Sequence, residues 1–173
     1  MNRPPTAPGL PRTVAARKLA AKGQRLSGWI DAGALPRLSA AVLGADSRCE
    51  AELRFSLGDS GVAEIHGRIE ARVTLTCERC LEPFELPLSA APALGLVGSE
   101  ADADRLPHRL EPCMVADEEL DLFDLVEEEL LLALPIIAAH AEESCRRQWI
   151  EPAAAEDGIE SPFGVLAQLK PRR

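Results

Sequence analysis

The sequence predicts an α+β fold: two short helices, then an antiparallel β-sheet, then one main helix packed across it. Three observations carry this. Residues 48–57 and 62–76 alternate apolar and polar side chains, which is the period of a strand covered on one face. Residues 119–135 instead place apolar side chains three and four apart, the period of a helix. Only short apolar-basic segments precede the alternating region. Such a sheet stays open or curls toward a barrel. At 173 residues the chain fits one α+β domain over 13–150 with a basic amino-terminal helical arm. A flexible amino terminus over 1–12 precedes it, and an acidic linker with a short helical segment over 151–173 follows.

The elements follow in order. "MNRPPTAPGLP" is proline-rich and reads as extended or disordered. "TVAARKLAAKGQRLSGWI" reads as a first helix, with Thr13 as its cap and Gly23 as its end. A second fits "DAGALPRLSAAVL", with Pro36 near its start and Leu35, Leu38 and Val42 on one stripe. In "CEAELRFSL", Cys49, Ala51, Leu53, Phe55 and Leu57 form the buried phase of a strand. "GDSG" turns the chain into "VAEIHGRIEARVTLT", where the slip in spacing near Gly67 predicts a bulge. "FELPLSA" is the next strand, and Pro87 places it at an edge. Residues 98–109 form a polar loop, and "LEPCMV" is one more short strand. The main helix is "ELDLFDLVEEELLLALP", capped by Asp121 and stopped by Pro135. Its buried stripe is Leu122, Leu125, Val126, Leu130 and Ala133, and the Glu127–Glu129 run reads as a solvated face.

Composition limits function. The core must be aliphatic, because the chain has only four Phe, two Trp and no Tyr; that is too few rings for a base-stacking platform. A net charge of −9 argues against a protein that simply coats nucleic acid. The distribution is uneven, however. Arg3, Arg12, Arg17, Lys18, Lys22 and Arg25 fall within residues 1–30 without a single acid, leaving a body with a net charge of −15. No apolar run is long enough to span a membrane. Five cysteines without a secretion signal point to a reducing cytoplasm.

The chemistry concentrates in "TLTCERCLEPFELPL". Cys77 and Cys80 join two strands instead of opening a helix, and Glu78 and Glu82 oppose a thiolate, so a redox pair fits poorly. A zinc knuckle places two thiolates at such a hairpin tip, though Leu81 stands where a knuckle often has glycine. The other two ligands would come from His140 and Cys145 in "HAEESC". The alternative is two small buried thiols in a tight turn. Cys49 reads as core, and Cys113 has no partner pattern. His66, His108 and His140 lack a nucleophile or carboxylate at a catalytic spacing, and there is no phosphate-binding glycine loop, so no enzyme is predicted. Arg12, Arg17, Lys18, Lys22 and Arg25 are candidate contacts for RNA or a partner. In "SPFGVLAQLK", Ser161 caps and Pro162 opens a short helix whose Phe163, Leu166 and Leu169 are candidates for docking.

The ordered set "VTLTCERCLEPFELPL", "DLFDLVEEELLLALPIIAAH", Cys145 and terminal "SPFGVLAQLK" resembles the YceD family of large ribosomal RNA subunit accumulation proteins. The basic first helix and "CEAELRF" are also similar to that family. The resemblance implies a non-enzymatic bacterial cytoplasmic factor, needed for large-subunit ribosomal RNA to be made, processed or kept stable. Its partners would be pre-ribosomal RNA or large-subunit assembly proteins, with no membrane and no small-molecule substrate. An adaptor whose acidic body binds a basic ribosomal protein or a processing enzyme is the alternative. The family has no established catalytic residues. Many relatives add a second cysteine-rich cluster, where this chain offers only His140 and Cys145.

Overall fold

The computed structural model describes residues 8–46, 48–115, 119–141 and 145. Its centre is a seven-stranded sheet. The longest strand, β5 (Ala63–Thr76), pairs antiparallel with β4 (Arg48–Leu57) and with the two-residue β3 (Gly44–Ala45). It also pairs antiparallel with β6 (Pro83–Ala90) and β7 (Ala93–Val97). β2 (Arg25–Asp31) lies outside β4, and β8 (Glu111–Met114) runs parallel to β7. β2 and β8 end the order and do not pair with each other among the described residues, so the sheet is open and not a barrel. A separate two-residue pair joins β1 (Thr13–Val14) to β9 (Leu120–Asp121).

Registry puts the apolar phases on one face. Ala51 lies opposite Ile69, Phe55 opposite Ile65, and Ile30 opposite Cys49. All six are buried, and each large one contributes roughly 1.5–3 kcal/mol through burial. Helices cover this face. The main helix, α4 (Leu122–Leu132), packs on β5 and β6, and α1 (Ala16–Ala21) packs on β4 and β5. α2 (Pro36–Ala41) follows a single 3-10 turn at Ala32–Ala34 and packs against α4. Asp121 caps α4 as expected, its Oδ1 accepting from the backbone N–H of Phe123 at 2.8 Å and of Asp124 at 3.2 Å.

Several elements differ from expectation. The first helix is one and a half turns long. Thr13 does not cap it but sits in β1, and Gly23 ends it at a φ of +61°. The next residues, 25–31, form β2, with Leu26, Gly28 and Ile30 turned inward. There is no bulge at Gly67, since the β4–β5 register runs unbroken from Glu50↔Glu70 to Leu57↔Ala63. Glycine is required there by close approach: a Cβ would lie 2.2 Å from the carbonyl oxygen of Glu52. The interruption falls opposite, at Ala91–Pro92, where β6 and β7 continue one register along β5. Pro87 sits in β6, which pairs only with β5 among the described residues. The polar loop contains the single turn α3 (Glu100–Ala103), capped by Ser99.

Glu127 overturns the solvated-face reading of its run. It is 2% exposed, and its Oε1 accepts from the backbone N–H of Arg37 at 2.7 Å and of Leu38 at 3.1 Å. Its Oε2 accepts from Arg37 Nε at 2.9 Å. α4 thereby supplies the N-terminal cap that α2 lacks in its own residues.

Candidate metal centre

Cys77 follows β5 directly, and the chain from there to β6 is a tight turn. The Cys77 N–H donates to the Glu82 carbonyl at 2.9 Å, and the Leu81 N–H donates to the Cys77 carbonyl at 2.8 Å. Leu81 is forced to a φ of 62°, a left-handed conformation that favours glycine, and its side chain is largely exposed. The turn is tied to the segment after α4 by the Glu78 N–H, which donates to the Ala138 carbonyl at 2.8 Å. That segment carries His140, whose ring packs on Phe84 of β6 with centroids 4.9 Å apart.

The four candidate ligands meet here. Cys77 Sγ lies 3.5 Å from Cys145 Sγ, and Cys80 Sγ lies 3.4 Å from His140 Nδ1. All four donor atoms fall within 4.8 Å of one another. Thiolates at about 2.3 Å around a tetrahedral zinc stand roughly 3.8 Å apart, so small movements would suffice to fit the ion. Cys77 and Cys145 are buried, while Cys80 and His140 are partly exposed. Three thiols and an imidazole make a donor set suited to zinc, with no oxygen ligand that would favour calcium or magnesium.

The electrostatics are uneven. Burial opposes ionisation of Cys77, but backbone N–H groups at Cys80, His140 and Arg79 and the Cys145 thiol outweigh it and hold its pKa down. The Arg79 N–H lies 3.4 Å from this sulfur. Burial, then the neighbouring Cys77 and Cys80, push Cys145 up. Cys49, in the core phase of β4, is raised to about 11 by burial and then by Asp31 and Asp46. Cys113 is raised by burial and by Glu129. Neither approaches the cluster.

The basic candidates lie on the domain itself. Arg12 is engaged by Asp121 at 2.9 Å and sits 5.6 Å from the Phe123 ring. Arg17, Lys18, Lys22 and Arg25 are exposed, the first two on α1 and Arg25 on β2. Ala16 and Ala20 bury the opposite side of α1, so this basic segment is built into the core. Phe163, Leu166 and Leu169 lie outside the described residues. Residues 25–31 form a strand, and its register sets Arg25 directly beside Arg54 of β4, a residue the sequence reading did not single out. No helix among the described residues is long and apolar enough to cross a membrane.

The order of these elements can be compared with known proteins. The family model described as large ribosomal RNA subunit accumulation protein YceD matches residues 65–170, a span holding most of β5, the cysteine turn, α4, His140 and Cys145. The chain belongs to the YceD family. A curated member, the large ribosomal RNA subunit accumulation protein YceD of Haemophilus influenzae, is 32% identical over 167 residues. That similarity covers 93% of this chain and 96% of the relative, so it includes the amino-terminal basic region that the YceD family model leaves out. No solved structure matches the chain.

Proposed function

We propose that this YceD-family chain is a non-enzymatic ribosome-biogenesis factor of the bacterial cytoplasm. It supports the synthesis, processing or stability of large-subunit ribosomal RNA through contact with pre-ribosomal RNA or assembly proteins. The observation that carries this reading is end-to-end similarity to a relative whose name states that role. Supporting it, Arg17, Lys22 and Arg25 are exposed, and none has an ion-pair partner among the described residues. Exposed cations of this kind on an acidic protein offer local phosphate contacts while limiting indiscriminate binding.

The same reading assigns structural zinc to Cys77, Cys80, His140 and Cys145. Four protein donors would complete a tetrahedral shell, leaving no coordination position for substrate. The ion would fasten the β5–β6 turn to the segment after α4, replacing a hydrophobic contact that so small a turn cannot provide.

A second reading, an adaptor for a basic protein, is favoured by a groove of about 540 Å³ between α4 and β8, lined by Glu111, Glu119, Asp124, Glu128 and Glu129. Deletion of the gene tests the main reading. Large-subunit ribosomal RNA should fall relative to small-subunit RNA, or its precursors accumulate. Unchanged subunit profiles across cold, rich and poor growth conditions would refute it.

A further inference from the structure

The helices cover one face of the sheet, and on the other face strand pairing lines up basic residues that are distant in sequence. Arg25 of β2 lies directly opposite Arg54 of β4, and Arg54 lies directly opposite His66 of β5. Opposed residues in antiparallel strands point to the same side with Cβ atoms about 4.5–5.5 Å apart. The three therefore form a row across the sheet, with Arg68 in the next row on β5. Arg25, Arg54, His66 and Arg68 line one groove of about 370 Å³, open to solvent.

Arg25 and Arg54 repel each other, and a sheet gains nothing from like charges placed opposite one another. Neither guanidinium has a carboxylate within ion-pair distance among the described residues. The nearby acids are mostly engaged. Glu64, 2.9 Å from His66 Nε2, is held by Arg109 through contacts of 2.7 and 3.1 Å. Glu70 takes Arg68 at 2.7 Å. Glu52, opposite Arg68, is the one carboxylate that lines the groove. A shared anion would turn the Arg25–Arg54 repulsion into attraction, and the planar guanidinium fork matches phosphate oxygens.

We propose that Arg25, Arg54 and His66 form a phosphate-binding site on the open face of the sheet, and that its ligand is the backbone of RNA. This rests on the ribosomal RNA reading above. A polyanion suits the row better than a single carboxylate does, because the cations continue past its end. Lys22 is exposed three residues before Arg25, across the Gly23 turn. The site thus adds Arg54 and His66, which belong to the acidic body, to the amino-terminal basic residues.

The test uses the full chain and a single-stranded fragment of large-subunit ribosomal RNA, with affinity measured by fluorescence anisotropy over a series of salt concentrations. Each phosphate contact contributes about 0.7 to the log–log slope on single strands. Arg54→Ala and Arg25→Ala should each flatten the slope by about 0.7, and the double variant by about 1.4. Arg72→Ala is the control. It removes the same charge from the same face, but Arg72 is engaged by Glu85 at 3.6 Å and Asp46 at 3.8 Å, so the slope should stay at the wild-type value. Arg54→Ala should not lower the melting temperature, since it removes a repulsion; a purely structural arginine would. Wild-type slopes in both single variants would overturn the site and leave RNA binding by the amino-terminal residues intact. A wild-type protein without salt-dependent RNA binding would overturn both readings. Displacement of RNA by polyglutamate of equal charge would overturn the assignment to phosphate.

Discussion

Replacing Cys77 with serine separates a metal centre from a turn that happens to contain thiols. Cys77 is fully buried, 3.5 Å from Cys145 Sγ, and accepts the Arg79 N–H. Structural zinc sites hold roughly 10–16 kcal/mol of binding energy at neutral pH, so one donor in four accounts for about 2.5–4 kcal/mol. A buried hydroxyl in place of a thiol, with no metal present, costs about 1–3 kcal/mol. These ranges overlap, so the amount of destabilisation does not decide. Its dependence on zinc does. Wild-type protein should carry close to one zinc per chain, and a chelator should lower its melting temperature by roughly 2–4 °C for every kcal/mol of zinc stabilisation it removes, a larger drop than the loss of one donor gives. Cys77→Ser should start from a lower melting temperature and respond little to the chelator. Wild-type protein grown with added zinc that contains only trace metal, and melts at the same temperature with and without chelator, would refute the metal centre.

Two further predictions concern buried carboxylates. Glu127→Ala should destabilise the domain by about 2–3 kcal/mol, since it removes the cap of two α2 N–H groups and one charged hydrogen bond to a half-exposed Arg37. Urea titration should show a lower midpoint at unchanged slope, and a loss below about 0.5 kcal/mol would contradict the capping role. Glu64 is held down to about 2, from an ordinary 4.5, by its hydrogen bonds from Arg109, against the effect of burial and with help from His66. A depressed carboxyl stabilises the fold above its unfolded pKa. That contribution should therefore be lost as pH falls from about 4.5 to about 2. The stability gap between wild type and Glu64→Gln should close across that window; a constant gap would show that the pair contributes nothing through ionisation.

The readable elements were those whose side chains repeat a local period. β4 alternates Cys49, Ala51, Leu53 and Phe55 against charged neighbours, and Asp121 stands at the start of a long apolar helix, so both could be placed from local pattern alone. β2 was obscured because its central inward residue is Gly28, which carries no hydrophobic signal, and because alanine-rich α1 runs into it. Glu127 could not be distinguished from Glu128 by sequence. What buries it is Arg37 on another helix, 90 residues away. The four candidate ligands were named together from the sequence, with two small buried thiols in a turn as the alternative, and the structure brings their donor atoms within 4.8 Å of one another. Their convergence depended on the path of α4, which returns His140 to the side of Phe84. The Arg25–Arg54–His66 row is visible only through strand registry, since no short-range pattern connects its members.

The proposed role of this YceD-family protein is to act on large-subunit ribosomal RNA. Crosslinking the tagged full chain in growing cells, then sequencing the RNA and identifying the proteins recovered with it, tests that claim most directly. Large-subunit ribosomal RNA or its precursors should be enriched over small-subunit RNA, and less so when Arg25 and Arg54 are both replaced by alanine. Recovery of basic ribosomal proteins or a processing enzyme, with no RNA above the untagged control, would contradict direct contact with RNA and leave the adaptor reading.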